Sequence, residues 1–402
     1  MDSGFDSPSI YFHYKKLECC LQNIHTIKQQ KQLLISPYSK ASNVTGLWQI
    51  INTLGPMAGI WLLVARYGNH SITIVVGAIL ALTLFTLRTL VLMHECGHRS
   101  LFNSRRLNTV VGFMLGVITG MPQFVWSQHH DYHHVNNGNW EKYRGPLTSP
   151  SVEEFAALSD AQRRNYLLAR HIAMAPLGGF VYLLFNPRFT WLKGSMQLLL
   201  HLLKSKLAQP QISFSAHAKT FKTRYWQSSQ QYWHMFWNNV VLISLWPLMC
   251  WCIGTGLFFS VYVISVSLAG GAGIMLFTVQ HNFEHAYAST SEGWDYDQSA
   301  VRGTSFLVLP RWLNWFTANI GYHHVHHLSA KIPNYRLAEF HNKYQHLFVD
   351  VRRVTLRQIP YALTFLIWDA AAKRIISVAE FQHQLQNAVP QATKPYQPQP
   401  SN

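Results

Sequence analysis

The sequence predicts an all-α integral membrane protein: four transmembrane helices in two hairpins, with a cytoplasmic helical cap carrying clustered histidines. Three observations predict it. Only 12% of the 402 residues are charged, about half the roughly 25% usual in soluble domains. Four apolar stretches approach the ~20 residues needed to cross a bilayer. The 33 Lys and Arg are distributed very unevenly around those stretches.

The predicted spans are residues 47–65, 72–93, 235–258 and 261–279. "RYGNH" joins the first two and the "GTG" region joins the second two, so each pair reads as a hairpin. The shorter runs "VVGFMLGVITGM" and "MAPLGGFVYLLF" are interrupted by Gly and Pro and read as interfacial or re-entrant. The first 40 residues are polar and lack the apolar core of a signal peptide. Of the Lys and Arg, only Arg66 falls in a predicted outer connection, and Arg88 lies inside the second span. The positive-inside rule then places both termini and the long middle segment in the cytoplasm. Arg88 costs about 2.5–3.5 kcal/mol at mid-span and is expected to snorkel toward the cytoplasm.

These spans divide the chain into an N-terminal cytoplasmic segment (1–44), a membrane domain (45–376) and a C-terminal tail (377–402). The cap is residues 94–234 and 280–376. The tail ends in the polar, Pro-rich "PQATKPYQPQPSN", which reads as disordered. The net charge of +16 does not point to nucleic acid, because the basic residues track the spans rather than form one stripe. The five cysteines form no C-x-x-C pair and no disulfide-rich pattern, which fits a reduced, cytoplasm-facing protein.

Twelve of the 22 histidines fall in four short clusters. His94 and His98, then His281 and His285, form two H-x-x-x-H pairs, each continuing the second helix of a hairpin. His129, His130, His133 and His134, then His323, His324, His326 and His327, each contain H-x-x-H-H. The order is a pseudo-repeat: hairpin, H-x-x-x-H, a spacer, H-x-x-H-H. Helical residues three and four apart share a face, so each cluster can aim its imidazoles at one point. Continuing the second span from Ile72 to His98 makes it about 40 Å long, more than the ~30 Å of hydrocarbon. The pair therefore projects past the lipid.

Packing gives no reason to write both patterns twice, so the clusters read as metal ligands. The regular positions number ten: His94, His98, His130, His133, His134, His281, His285, His323, His326 and His327. A catalytic zinc uses about three protein ligands, so ten suffice for two ions. Imidazole suits zinc, copper and iron alike, but oxygen chemistry on an inert hydrocarbon needs a redox metal, which favours two non-haem irons. His94, Glu95 and His98 also match H-E-x-x-H, in which the glutamate activates a zinc-bound water. That protease reading leaves the other clustered histidines idle, and the chain has no Asp-Gly for a third ligand. A carboxylate di-iron bundle needs two Glu-x-x-His motifs and two further Glu, and Glu95-x-x-His98 is the single such motif within the histidine clusters.

The set "HECGH", "WSQHHDYHH", "VQHNFEH" and "NIGYHHVHHL" resembles the membrane fatty acid desaturases. The resemblance spans roughly residues 45–376 and, through "GWDYDQSAVRGTSF" and "LNWFTANIGYHHVHHLSAKIPNY", is greatest to bacterial acyl desaturases of the delta-12 type. It implies two irons held by His94 and His98, by His130, His133 and His134, by His323, His326 and His327, and by one extra histidine. The Val-Gln context points to His281. His285 stands where that pattern often has an acidic residue, and Ser127 replaces a frequent Arg. Glu95 is the first candidate to hold a ligand's other ring nitrogen, ahead of Asp131, Glu284, Asn136 and Asn319. His129 and His324 lie beside ligands but rotated off their face.

The resemblance also implies a fatty acyl substrate bound in an apolar tunnel, where Trp312, Trp315 and Phe316 either line the wall or anchor at the interface. No His-Pro-Gly-Gly segment of a fused cytochrome b5 and no iron–sulfur cysteine set is present. Electrons would come from a separate acidic ferredoxin or cytochrome b5-like carrier docking on the basic face. That charge also suits contact with anionic membrane lipids. The rival readings are a hydroxylase or ketolase with the same histidines, and a non-catalytic metal-handling membrane protein. The expected location is the bacterial cytoplasmic membrane.

Overall fold

A computed structural model describes residues 8–145 and 147–388, with side chains described from residue 22 to 387. Among the described residues, four helices are long and apolar enough to cross a membrane: Asn43–Tyr67, Ile72–His98, Ser229–Ile253 and Thr255–His281. Each of the first three starts where a serine side chain accepts a backbone N–H that the helix leaves unpaired: Ser42 from Thr45, Ser71 from Ile74, and Ser228 from Gln231. The turn between the third and fourth spans falls at Gly254. The third span therefore ends at Ile253 and the fourth begins at Thr255, both several residues before the expected boundaries. The apolar run continues unbroken across Gly254, so hydropathy alone does not mark the break.

The second and fourth spans have 27 residues each and end on His98 and His281. At 1.5 Å per residue both exceed the hydrocarbon thickness by about a turn or two. They lie side by side, and Ser265 Oγ of the fourth donates to the Ile79 carbonyl of the second at 3.3 Å. The two interrupted runs are bent helix pairs. Arg105–Thr119 meets Gln123–Asn136 at 101°, because Gly120 takes a left-handed φ of +82° and Pro122 follows; a proline cannot continue the first helix. The second pair, Asp160–Ala169 and Ile172–Ala208, bends by 63°.

Helix Ala175–Phe180 approaches the fourth span closely at Gly179. A Cβ there would lie 2.2 Å from the Ser267 carbonyl oxygen and 2.4 Å from the Gly271 nitrogen. Beyond it a single π turn, Val181–Phe185, precedes the helix Asn186–Ala208. Such a turn frees carbonyls, and Arg188 takes them up, donating to Leu183 at 2.8 Å and Leu184 at 3.3 Å. The same guanidinium reaches Asn238 and Asn239 of the third span at 3.0 and 2.7 Å.

Arg88 does not snorkel. It is 3% exposed, donates to Thr53 Oγ1 at 2.9 Å, to Gln49 and to the Trp315 carbonyl, and lies over the Trp315 ring. Thr53 and Gln49 on the first span and the Trp315 carbonyl satisfy it inside the protein, so it has no need to reach water. The described residues are mainly helical with two small sheets: Phe306–Val308 pairs in parallel with Arg353–Thr355, and Phe365–Asp369 antiparallel with Arg374–Ser377. The folded part runs past residue 376. Helix Val378–Ala388 buries Phe381 beside Phe155 and Ile376, an apolar anchor that the polar end of the tail masks in sequence. The disorder expected for that end falls at 389–402, outside the described residues.

Candidate metal centre

Two helices converge under the ends of the second and fourth spans. The helix Gln123–Asn136 brings His130, His133 and His134; the short helix His323–Leu328 brings His323, His326 and His327. The chain enters that second helix through Ala318 and Asn319 at φ +45° and +61°. Asn319 is one of the few side chains that tolerate the left-handed region, and its amide donates to the Asn334 carbonyl at 3.2 Å. All six residues of helix His323–Leu328 are buried. Burying four imidazoles without partners is costly, so something must satisfy them.

Nine histidines sort into two groups. His94, His98, His130, His134 and His326 form one; His133, His281, His323 and His327 form the other. Within each group one ring nitrogen per residue lies within 4.8 Å of all the rest. In the first, His130 Nε2 is 2.9 Å from His94 Nε2 and 3.0 Å from His134 Nε2, which is 3.0 Å from His326 Nε2. In the second, His281 and His323 Nε2 are 2.9 Å apart, and His133 and His327 Nε2 are 3.2 Å apart. Two nitrogens bound to one ion at about 2.1 Å and at right angles sit roughly 3.0 Å apart, so the spacing suits a metal.

Hydrogen bonding among the rings is the competing account, and it fails on supply. A neutral imidazole has one donor and one acceptor. His130 Nε2 and His134 Nε2 each face two other Nε2 atoms, while each nitrogen offers one proton or one lone pair, so single hydrogen bonds cannot serve every contact. A cation takes every Nε2 lone pair at once. Burial also pushes His323, His326 and His327 well below the usual imidazole pKa, keeping them neutral and free to ligate.

The division between groups differs from the expected one. A cluster does not aim at a single point: His133 and His134 point into different groups, as do His326 and His327. Adjacent helical residues are about 100° apart, so each H-x-x-H-H segment lies between two ions and supplies both. The rings of His134 and His327 stack at 4.1 Å across the shared wall.

Nine of the ten expected ligands are brought together, and His285 is the exception. The fourth span ends at His281, Asn282 leaves the helix, and His285 has φ +64°. Its side chain is 70% exposed, and its near neighbour is Glu284 at 3.9 Å. The i, i+4 argument required a helix that does not continue. Glu95 lies where expected, fully buried, with Oε1 3.1 Å from His94 Nδ1. Asp131 stands 3.4 Å from His98 Nδ1. Glu284 faces Arg352, Asn136 donates to the Tyr132 carbonyl, and Asn319 to that of Asn334, so none of these three supports a ligand. His324 turns away from the site, and its Nε2 meets His341 Nδ1 at 2.8 Å.

A cavity of about 370 Å³ opens against both groups. His94, His130, His133 and His323 form part of its wall, and Leu87, Leu90, Ile274 and Phe277 are among its apolar lining. The size falls in the roughly 300–1,000 Å³ range of small-molecule pockets. Trp312, Trp315 and Phe316 do not line it; Trp126, Tyr143 and Tyr182 do, and sequence reading missed them. Trp126 stacks on His130 at 4.6 Å, and its i, i+4 spacing from that residue was a usable signal. Nothing local marks Tyr182, which comes from the π turn.

A helical membrane protein with two adjoining all-histidine sites beside an apolar cavity belongs among enzymes that act on hydrocarbon chains. Comparison with known proteins narrows the class. Residues 70–359 match the fatty acid desaturase family model, and the chain belongs to that family. It is 31% identical to a fatty acid desaturase of Bacillus subtilis, over 88% of this chain and 92% of that protein. It is 23% identical to the chloroplastic omega-6 fatty acid desaturase of Spinacia oleracea, over 61% of this chain and 48% of that protein. Identity to the sn-1 oleoyl-lipid 12-desaturase of Synechocystis is 24%, over 62% of each. The chain is thus a fatty acid desaturase enzyme.

Proposed function

We propose that this desaturase introduces a double bond of the delta-12 type into a fatty acyl chain linked to a lipid, CoA or a carrier protein, using O₂ and two electrons from a separate electron carrier. The observation that carries the reading is the apolar cavity ending on histidines of both groups. Two iron ions, when bound, supply the change in oxidation state that hydrogen removal from an inert hydrocarbon needs, and zinc cannot provide it. The reaction balances: the chain gives up two hydrogens, the carrier supplies two electrons with two protons, and O₂ leaves as two waters. The protein's own part is geometric. Five nitrogens would hold one ion and four the other, leucine and phenylalanine side chains would keep water from the acyl chain, and Glu95 would fix the His94 ring.

Double-bond position rests on motif resemblance and on the Synechocystis relative. For electron entry, a second, more polar depression reaches His98 and Asp131. Lys28, Lys31, Arg99 and Lys331 line it, the first two paired with Asp295 and Asp297. That lining suits an acidic ferredoxin or cytochrome b5-like carrier. The proposed setting is the bacterial cytoplasmic membrane, with termini and histidines on the cytoplasmic side by charge bias. The test is expression in a host lacking polyunsaturated lipids, followed by fatty acid profiling. A new diene with its second double bond at carbon 12 supports the reading. A hydroxylated or keto product, or metal uptake with no O₂ consumption, replaces it with one of the rivals.

A further inference from the structure

Arg88 and Glu95 lie seven residues apart on the second span, two turns along one face. Both are buried, at 3% and 0% exposure, and removing an ion from water costs several kcal/mol even after relaxation. They do not touch. A pair of amides stands between them. Arg88 Nη2 donates to Gln49 Oε1 at 3.3 Å. Gln49 and Asn334 exchange two hydrogen bonds: Asn334 Nδ2 donates to Gln49 Oε1 at 2.8 Å, and Gln49 Nε2 donates to Asn334 Oδ1 at 3.2 Å. The Asn334 backbone N–H then donates to Glu95 Oε2 at 3.0 Å, and Ser100 Oγ donates to the same oxygen at 2.8 Å. That leaves Oε1 for His94 Nδ1.

We propose that Arg88 is a positioning residue for the metal centre: its charge offsets the buried Glu95 carboxylate through the Gln49–Asn334 amide pair and holds that carboxylate against His94 Nδ1. The consequence is chemical as well as geometric. A carboxylate accepts only, so His94 must carry its proton on Nδ1, and the Nε2 lone pair faces the other four histidines of its group. The group bonded to one ring nitrogen sets which nitrogen is free to ligate. The network joins the first span, the second span and the loop after the His323–Leu328 helix, so it reports on how three separate elements are set around one ligand. Arg88 touches neither the acyl cavity nor any ligand ring. Its hydrogen-bonded link to His94 runs through Gln49, Asn334 and Glu95.

This inference rests on the reading that the five-histidine group holds a metal ion, and the experiment separates the two. Full-length protein in detergent, stripped by chelator, is titrated anaerobically with Co²⁺, read by its ligand-field spectrum and by chelator competition. Two equivalents are expected for the wild type. Arg88→Met removes the charge, and Gln49→Glu keeps the shape at position 49 while capturing Arg88 locally. Both are expected to weaken one equivalent by about 10- to 100-fold, with an altered spectrum for that ion and the second equivalent unchanged. Arg88→Lys should recover part of the affinity. Wild-type affinity and spectrum in the folded fraction of both Arg88→Met and Gln49→Glu, even with less folded protein, would overturn the proposal and leave Arg88 a structural residue. A wild type that takes up no Co²⁺ would instead remove the metal reading itself.

Discussion

Replacing His281 and His285 separately by Ala tests the division of histidines most directly, because the two residues occupy equivalent places in one H-x-x-x-H pair. His281 is one of four nitrogens in its group, with Nε2 2.9 Å from that of His323. Four-ligand structural sites in zinc-finger peptides bind zinc with an apparent free energy of roughly 10–16 kcal/mol, which sets the scale. If the ligands share it evenly, one imidazole is worth about 3 kcal/mol, which is more than a hundredfold in affinity. His281→Ala should therefore lose one metal equivalent and all measurable desaturation. The fold should tolerate it, since Ala is the better helix former at the end of the span. His285 is 70% exposed and belongs to neither group, so His285→Ala should keep both equivalents and activity within about twofold of wild type. The assay is metal content per folded chain by elemental analysis, beside product formed per unit of membrane-inserted protein. Normal desaturation by His281→Ala, or a metal-depleted His285→Ala, would refute the assignment.

Three further outcomes are expected. A Cβ at Gly273 meets only Leu87 Cδ1, at 4.0 Å, so Gly273→Leu should fill part of the cavity without unfolding the protein and shift the product profile toward shorter acyl chains; an unchanged profile across chains of graded length would mean that the acyl chain lies elsewhere. Gly179→Ala should lower the thermal midpoint in detergent sharply, because its Cβ must push apart two backbones at 2.2 and 2.4 Å, where overpacking commonly costs 1–3 kcal/mol or more. His129→Ala and His324→Ala should retain both metal equivalents and measurable activity, losing at most about 10- to 100-fold, since neither contributes to the two groups; loss of an equivalent in either would count against the nine-ligand set.

Much of this protein was legible from order and spacing. The apolar runs set the four spans because the cost of burying unpaired backbone polar groups in lipid leaves helices as the available form. Clusters of His at three- and four-residue intervals announced a metal site because helical periodicity is a local property. His94, His98, His130, His133, His134, His281, His323, His326 and His327 could all be picked before any coordinates. Which histidine serves which ion could not, since that depends on how the Gln123–Asn136 and His323–Leu328 helices are set against each other, and no stretch of either specifies the angle. His285 was misplaced for the same reason: its spacing from His281 means a shared face only while the helix lasts, and tertiary contacts end it at His281. Arg88 taught the complementary lesson. Its charge was visible and its cost calculable, but the groups that satisfy it, Gln49, Thr53 and the Trp315 carbonyl, lie 39, 35 and 227 residues away. Local sequence thus determined what the chain could form and which side chains could bind metal. Long-range packing decided which were brought within about 3 Å of one another, because partners distant in the chain become neighbours only when the whole fold closes.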